Sequence, residues 1–412
     1  MLLFSGRESR WQTTHAEMMM NRRASELSES EPQTPFFVCD ARELRRNCAI
    51  VESVRRSSGA HVHFAMKSFT SCGIFRYMAP HFDGVVASSL FESKLGREYF
   101  CRHGNRGEVH TYSPGFAPRD FSEILATSNT VIFNSHSQLE RFRGAAQARG
   151  VSVGLRLNPE ISGVRSGCEF ANPCSKRSRL GVIRSQLKTS DLEGVSGVLF
   201  HVNSENDDLD SLTSVLDGIE RRFSDILSRP DIEWVSLGGG ISFTDPVYPV
   251  AEFVETLKKF GDRWDARIFL EPGSAISSSP FTLHTTVLDV VQNEIPTAIL
   301  DVSAEAHLPD RFYFDYQYPV EGALAGSSDE DGIPHQLGGV SCLSSDALGE
   351  YRFREPLRAG DRVVLSGCGD YTMVQQTWFN GVHRPSVYYR HESGEMELIK
   401  EHGYEDYLRS YL

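Results

Sequence analysis

His61-Val-His-Phe-Ala-Met-Lys67 is an apolar run that ends on a lysine, and seven later segments of the chain repeat this design. Each run has the length of a β-strand, is rich in β-branched or aromatic residues, and stops at polar, reactive or glycine-rich residues. The later runs span 84–89, 108–114, 130–135, 152–159, 197–204, 234–240 and 267–273. This repetition predicts eight equivalent strands.

Segments with helical spacing separate the runs, among them 90–100, 137–149 and 209–227. Strand and helix therefore alternate eight times, which predicts an α/β fold, the (β/α)8 TIM barrel. The active site of such a barrel lies at the carboxyl ends of its strands. Those ends carry Lys67, Ser88, Asn134, Asn158, His201, Gly238, Gly239, Gly240 and Glu271. The sequence thus predicts that one lysine, one histidine and one glutamate share a single mouth.

The chain has 412 residues, more than the roughly 250 that one barrel needs, so we expect a second domain. We assign the barrel to 46–275. After it, short apolar runs separated by Gly, Pro and Asp indicate an all-β domain over 276–412. Residues 35–45 contain a strand predicted to join that later domain. The Ser-, Glu- and Arg-rich segment 1–34 is predicted to be a disordered extension.

The net charge of −13 argues against binding to nucleic acid or to anionic membranes and is compatible with a small cationic substrate. No apolar run approaches the ~20 residues of a membrane span. The eight cysteines are scattered, which indicates a reduced, cytoplasmic location. We interpret Cys168 and Cys174 as free thiols in a loop rather than as ligands, and we predict no metal.

Lys67 by itself is compatible with a solvated rim residue, a substrate clamp or an amine that condenses with a carbonyl group. The mouth of a barrel desolvates an ammonium group, which favours the nucleophilic amine. Pyridoxal 5'-phosphate (PLP) would further require a carboxylate at its pyridine nitrogen, a flat group against its ring and backbone amides near its phosphate. Glu271, His201 and the glycine triplet that begins at Gly238 can supply these three. The set predicts a PLP site.

Several segments resemble the fold-type III PLP-dependent decarboxylases. They are Phe-Ala-Met-Lys at 64–67, Phe-His at 200–201, Leu-Gly-Gly-Gly at 237–240, Leu-Glu-Pro-Gly at 270–273, Gly-Gly-Val-Ser-Cys at 338–342 with Asp346, and Tyr-Thr-Met at 371–373 followed by Phe-Asn-Gly at 379–381. Further segments, at 86–92, 133–135, 178–181, 299–304 and 307–310, resemble the carboxynorspermidine (carboxyspermidine) decarboxylases of that superfamily. The resemblance extends over about residues 35–390.

The resemblance implies an obligate homodimer with two shared active sites, each built around PLP. Lys67 would hold the cofactor, His201 would stack on it, and Glu271 would pair with its pyridine nitrogen. Gly239, Gly240 and Tyr371 would bind or flank its phosphate.

The resemblance also assigns two residues to the neighbouring subunit. Cys342 would donate a proton after carbon dioxide leaves, and Asp346 would contact a distal amine of the substrate. Lys67, His201 and Cys342 are therefore the predicted catalytic residues, while Glu271, Cys342 and Asp346 are the predicted substrate contacts. Without the resemblance, a buried structural cysteine is the favoured interpretation of Cys342, because most cysteines are buried and inert.

The predicted reaction is decarboxylation of a basic amino acid, carboxynorspermidine or carboxyspermidine, to norspermidine or spermidine. Three departures from the family pattern concern the substrate: Ile241 replaces a histidine, Gln317 an arginine, and Gln375 a lysine. A diaminopimelate-like or other specialised amino acid therefore stays open as an alternative substrate.

Two further alternatives concern the class of protein. His61 and His63 form the His-x-His pattern of metal-dependent barrel hydrolases, but they stand at the start of their run, ~13–20 Å from its active end, and no aspartate ends the eighth run. A non-catalytic relative that keeps only the fold is the second alternative. It is disfavoured by the retention of four residues, Lys67, Glu271, Cys342 and Asp346.

Overall fold

The computed structural model describes residues 32–165, 169–175, 177–314, 316–324 and 332–412, and the chain divides into two compact units. The first unit comprises Glu43–Ser279 and Gly369–Val374, and the second comprises the described part of Met1–Arg42 together with Pro280–Cys368 and Gln375–Leu412. The segment 1–31 of the predicted extension lies outside the described residues, as does Cys168.

Eight parallel strands of the first unit form a closed barrel, as predicted. They are β2 (His61–Ala65), β3 (Gly84–Ala87), β4 (Glu108–Tyr112), β5 (Thr130–Phe133), β6 (Ser152–Asn158), β9 (Gly197–Leu199), β11 (Trp234–Ser236) and β12 (Arg267–Leu270). Each pairs with its neighbours in the order β5-β4-β3-β2-β12-β11-β9-β6, and pairing of β5 with β6 closes the ring. Three two-residue strands, β7 (Gly163–Val164), β8 (Val182–Ile183) and β10 (Asn203–Ser204), lie in the loops.

Helices alternate with the barrel strands. They span Ala41–Ser58, Cys72–Met78, Leu90–Glu98, Pro118–Thr127, His136–Ala148, Leu209–Leu227, Val250–Trp264 and Ser274–Ser277, with short 3-10 turns at Ala79–His81, Phe100–Arg102, Glu169–Ala171, Arg184–Gln186 and Thr189–Leu192. Among the described residues, no helix combines the length and the apolar character that crossing a membrane requires.

Side-chain caps start several helices directly after a strand. Ser89 accepts a hydrogen bond from the backbone N–H of Glu92, and Ser135 accepts one from that of Gln138. Such caps satisfy N–H groups that the first helical turn leaves without a partner. Each cap lies two residues after the end of its strand, so the intervening Ser88 and Asn134 are held at the carboxyl-terminal side of the barrel.

The barrel interior is a packed core rather than a channel. Ile132, Leu199, Trp234 and Phe269 form one buried cluster, against which Tyr112 packs. Glycines make room for the indole of Trp234, because a Cβ atom on Gly197 would lie 2.0 Å from it and one on Gly154 would lie 2.5 Å from it. This layer therefore separates the two ends of the barrel.

The second unit contains a mixed sheet of eight strands in the described residues. They are β1 (Phe36–Asp40), β13 (Phe281–Val291), β14 (Thr297–Leu300), β15 (Ile333–Gly338), β16 (Ala347–Phe353), β17 (Arg362–Ser366), β18 (Ser386–Arg390) and β19 (Met396–Lys400). The strand predicted near residue 35 is observed as β1, which pairs antiparallel with β13 and parallel with β18.

The second unit is built on a β-sheet, as predicted, and it also carries short helices at Ala304–His307, Asp310–Phe314 and Tyr404–Arg409 and a 3-10 turn at Phe379–Gly381. These helices are too short to show a helical period of apolar residues in the sequence, so they were not predicted. The sequence-based division also placed Tyr371 in the C-terminal domain, whereas Gly369–Val374 belongs to the barrel unit.

Candidate active site

Lys67 follows β2 and lines a cavity of about 720 Å³ in the barrel unit. Its side chain is accessible from the cavity, yet the surrounding protein displaces bulk water. This desolvation lowers the pKa of Lys67 from its usual value, against the opposing effect of the Glu271 carboxylate. The site thus favours an uncharged amine, the form that attacks a carbonyl carbon.

His201 lines the same cavity, and the backbone orients its ring. Its Nδ1 accepts a hydrogen bond from the N–H of Gly239 at 3.1 Å, which leaves the proton of the neutral ring on Nε2. Burial, with the charges of Lys67 and Arg156, holds the pKa of His201 well below its usual range. The ring is therefore a neutral, flat surface rather than a cation.

Glu271 follows β12 and is buried in the wall of the cavity. Its Oε1 accepts a hydrogen bond from the hydroxyl of Ser236 at 2.6 Å, and its backbone N–H donates to the carbonyl of Gly238 at 2.8 Å. A buried carboxylate held in this way is suited to accept a hydrogen bond from a protonated ring nitrogen.

The glycine triplet is required sterically at all three positions. A Cβ atom would lie 2.3 Å from His201 Nδ1 if placed on Gly238, 2.2 Å from the Glu271 carbonyl oxygen if placed on Gly239, and 2.3 Å from the Asn203 carbonyl oxygen if placed on Gly240. Gly238 and Gly240 also have positive φ angles of 69° and 80°. The turn therefore brings bare backbone beside two functional side chains.

Tyr371 has a φ angle of 51°, unusual for a residue with a side chain, and its N–H donates to the carbonyl of Ser68 at 2.7 Å. This hydrogen bond joins the segment Gly369–Val374 to the loop that follows Lys67. Tyr371 thus lines the cavity although it is about 300 residues from Lys67 in the sequence.

Arg156 and Tyr112 line the cavity and were missed in the sequence. The guanidinium carbon of Arg156 lies 4.9 Å from the centre of the Tyr112 ring, and Arg156 also donates to the carbonyl of His201 at 3.4 Å. The Tyr112 hydroxyl donates to Asn134 at 2.8 Å. A buried arginine inside the apolar run 152–159 was the signal that marked this position.

Glu92 is a third residue whose place near the site was missed in the sequence. Its Oε2 accepts a hydrogen bond from the backbone N–H of Ser88 at 2.6 Å. Burial raises the pKa of Glu92, while the Ser88 hydrogen bond and the charge of Lys67 lower it. Glu92 therefore lies within electrostatic reach of Lys67.

Cys342 and Asp346 belong to the second unit and are not among the described residues that line the cavity. Cys342 is exposed and its N–H donates to Asn380 at 2.7 Å, so the interpretation as a buried structural cysteine is wrong. The Asp346 carboxylate accepts hydrogen bonds from the N–H groups of Ala304 and Ser341 at 2.7 and 3.0 Å. In this conformation Asp346 shapes the loop that carries Cys342.

The three departures from the family pattern also lie outside the described lining of the cavity. Ile241 is buried beside Asn206 in the barrel unit. Gln317, in the second unit, donates to the carbonyl of Glu350 at 2.7 Å, and Gln375 is exposed in that unit.

The chemistry of these groups fits PLP. Its aldehyde requires an amine with a lowered pKa, and its ring requires a neutral flat group such as the imidazole. Its pyridine nitrogen requires a buried carboxylate, and its phosphate requires a turn without Cβ atoms.

Cys174, in the loop beside the cavity, is buried, and burial raises the pKa of its thiol to about 11.

Comparison with known proteins found close relatives along nearly the whole chain. The chain is 37% identical over 377 residues to a carboxynorspermidine/carboxyspermidine decarboxylase of Herminiimonas arsenicoxydans, covering 92% of this chain and 99% of that protein. It is 38% identical over 376 residues to a carboxyaminopropylagmatine decarboxylase of Synechocystis sp., covering 91% and 94%. No protein-family profile matches the chain.

Solved structures agree with these relatives. Carboxynorspermidine decarboxylase of Campylobacter jejuni, complexed with norspermidine, superposes with a TM-score of 0.83 at 33% identity, covering 92% of this chain and all of that one. Diaminopimelate decarboxylase of Helicobacter pylori superposes with a TM-score of 0.76 at 18% identity, which shows the fold alone.

Proposed function

Because the chain belongs to the carboxynorspermidine/carboxyspermidine decarboxylase family and is a carboxy-lyase, we propose that it uses PLP to decarboxylate carboxynorspermidine or carboxyspermidine. The observation that carries the proposal is the meeting of Lys67, His201 and Glu271 in one cavity, with the glycine turn 238–240 packed against His201 and Glu271. The proposed assembly is a homodimer with two shared active sites.

When bound, PLP supplies a pyridinium ring that accepts the electron pair left by the departing carbon dioxide. Glu271 would keep that ring's nitrogen protonated, and the Ser236 hydroxyl orients the carboxylate for this task. His201 would lie against the ring, where its neutral state would avoid a second positive charge beside the pyridinium. Lys67 would hold the cofactor's aldehyde through its amine.

The charge of the cavity bears on how the substrate is oriented. Among its described lining residues Arg156, Arg177 and Arg179 are positively charged, whereas Glu271 is the one carboxylate. This excess of positive charge suits the phosphate of the cofactor and the carboxylate of the substrate. It does not suit the distal amines of a polyamine, which need acidic groups from elsewhere.

The second unit contains such an acidic pair, Glu305 and Asp346, and in the proposed dimer it would come from the partner subunit. Burial and the charge of Asp346 raise the pKa of Glu305. The Oε2 atom of Glu305 is buried and makes no hydrogen bond within the described part of the chain. A buried carboxylate oxygen without a partner is a suitable acceptor for a distal ammonium group.

Product analysis tests the proposal. PLP-loaded protein is incubated separately with carboxynorspermidine, carboxyspermidine, carboxyaminopropylagmatine and meso-diaminopimelate, and the amines formed are identified by mass spectrometry. We expect norspermidine or spermidine at the highest kcat/KM. Preferential turnover of carboxyaminopropylagmatine or meso-diaminopimelate would reassign the substrate, and absence of every product from a protein that binds PLP would overturn the proposed reaction.

Two variants control this assay. Lys67→Ala removes the amine at the centre of the site and is expected to abolish turnover. Lys94→Ala removes a lysine whose ion pair with Glu123 lies on the surface, and it is expected to leave turnover unchanged.

A further inference from the structure

Three side chains with metal-ligating atoms meet inside the barrel at a distance from the cavity described above. They are His63 of β2 and Glu108 and His110 of β4, and one ligand atom of each lies within 4.8 Å of those of the others. His63 and His110 are 0% and 3% exposed. His61 is close by, with its Nδ1 3.9 Å from Oε2 of Glu108.

The cluster lies at the amino-terminal end of the barrel. Successive side chains of a strand alternate in direction, so His61, His63 and Ala65 share the inner face of β2, as Glu108, His110 and Tyr112 share that of β4. Ala65 and Tyr112 line the cavity, whereas the cluster lies before them in each strand. Four residues at strand rise separate His63 from Lys67 by roughly 13 Å.

An aromatic layer lies between the cluster and the cavity. The ring centre of Phe269 is 4.8 Å from that of His61, 5.1 Å from that of His63 and 4.8 Å from that of His110. Phe269 belongs to the packed core of the barrel. The cluster is therefore separate from the chemistry at Lys67.

Among the described residues, one hydrogen bond lies within the cluster, the 3.0 Å pair between Nε2 of His63 and Oε2 of Glu108. The Nδ1 atoms of His61, His63 and His110 are buried and make no hydrogen bond to any described residue. Buried polar atoms of native proteins nearly always have a partner. The described contacts of the chain therefore leave three ring nitrogens of this cluster available to a ligand.

The geometry points to a binding site for a divalent transition-metal ion, Zn²⁺ in the first instance, at the amino-terminal end of the barrel, with His63, Glu108 and His110 as ligands. Imidazole nitrogen and carboxylate oxygen are common zinc ligands, at about 2.0–2.2 Å from the ion. Tetrahedral ligand atoms then lie about 3.4 Å apart, which small side-chain rotations can reach from the observed cluster. His61 can supply a fourth ligand.

Access from solvent supports this assignment. The side chains of Glu108 and His61 are 26% and 15% exposed, which provides a path for the ion from solvent. Bound there, the ion joins β2 to β4 across β3 and stabilises the barrel.

Metal content provides the test. Untagged protein is dialysed against Zn²⁺, then against metal-free buffer, and bound zinc is counted by mass spectrometry. Glu108→Gln keeps the shape of the side chain but loses the charged ligand. We expect the number of Zn²⁺ ions bound per chain to be higher by one in the wild type than in this variant. The matched control is His81→Gln, which breaks a His–Glu pair with Glu52 outside the cluster and is expected to bind zinc as the wild type does. Equal zinc content in the wild type and folded Glu108→Gln would overturn the proposal.

A second measurement needs no variant. Wild-type crystals are grown with ZnCl₂, and anomalous scattering is recorded at the zinc edge. A peak between His63, Glu108 and His110 supports the site, and a map with no peak there overturns it. Neither measurement depends on activity, so failure of the metal site is distinguishable from failure of the proposed reaction.

Discussion

Ser236 donates a hydrogen bond from its hydroxyl to Oε1 of Glu271 over 2.6 Å, and both side chains are buried. Ser236 ends β11, and Glu271 immediately follows the neighbouring strand β12. The same hydroxyl oxygen accepts a hydrogen bond from the N–H of Gly238 at 3.2 Å. One serine therefore ties the proposed partner of the pyridine nitrogen to the glycine turn.

We expect Ser236→Ala to weaken catalysis, because the Glu271 carboxylate loses the hydrogen bond that orients it. A hydrogen bond to a charged group contributes about 1.5–3 kcal/mol, so kcat/KM should fall about 10- to 100-fold. Steady-state kinetics and titration with PLP measure the effect. The control is Ser196→Ala, which removes a hydroxyl pair with Ser152 away from the cavity; equal losses in both variants would contradict the proposed role.

Gly238→Ala should impair cofactor binding. Its new Cβ atom would lie 2.3 Å from His201 Nδ1, and the residue would also hold a φ angle of 69°. Gly59→Ala separates the two effects, because Gly59 has a φ angle of 74° but no atom within 4 Å of an added Cβ. We expect both variants to lose about 1 kcal/mol of stability from the backbone, and Gly238→Ala alone to release PLP faster. Unfolding and cofactor-release rates measure this; equal release rates would contradict the prediction.

Mixing two inactive variants tests the shared site. Lys67→Ala lacks the cofactor-holding amine and Cys342→Ala lacks the proposed proton donor, so each homodimer should be inactive. If each site combines Lys67 of one subunit with Cys342 of the other, half of randomly mixed dimers contain one intact site. Activity should then return to about a quarter of the wild-type value. Absence of recovery despite subunit exchange, verified by mass spectrometry, would refute sharing.

The lowered pKa of His307 predicts that the folded protein loses stability in acid. Burial, with the nearby charges of Arg384 and His402, lowers the pKa of His307 to about 3 in the folded protein, against about 6.5 in an unfolded chain. The unfolded state therefore binds the extra proton between these values, so stability falls as the pH drops below about 6.5. We expect this group to remove about 2 kcal/mol between pH 7 and pH 5.

Urea unfolding at both pH values measures this loss. His307→Leu should lose less stability on acidification than the wild type. The control is His383→Asn, which changes an exposed histidine of the same unit. It should lose as much stability between pH 7 and pH 5 as the wild type does. An unchanged acid response in His307→Leu would show that the pKa assignment is wrong.

The prediction of the fold succeeded because it depended on patterns that are local in the sequence. Each barrel strand carries its own apolar run, and helix caps such as Ser89 and Ser135 lie directly after strand ends. The β-strand ends were less accurate. The run predicted over 234–240 forms a strand only at Trp234–Ser236, because the glycines after it turn the chain instead of continuing the pleat.

Part of the site could also be predicted, because it too depends on patterns that are local in the sequence. A lysine, a histidine and a glutamate at strand ends are visible because topology brings all strand ends together. Arg156 and Tyr112 were missed because their contact depends on which faces of two distant strands meet. Of the cluster around His63, the sequence revealed only the pair His61 and His63, since it does not show that Glu108 faces them.

The sequence by itself determined that this chain forms a barrel and that Lys67 stands at the active end of one strand, because strand period and strand termination are encoded locally. Only the tertiary structure decided that Tyr371 reaches the loop after Lys67, that Ser236 holds Glu271, and that three histidines surround Glu108. Such contacts join residues far apart in the chain. Their geometry follows from register and packing, which exist only once the barrel has closed.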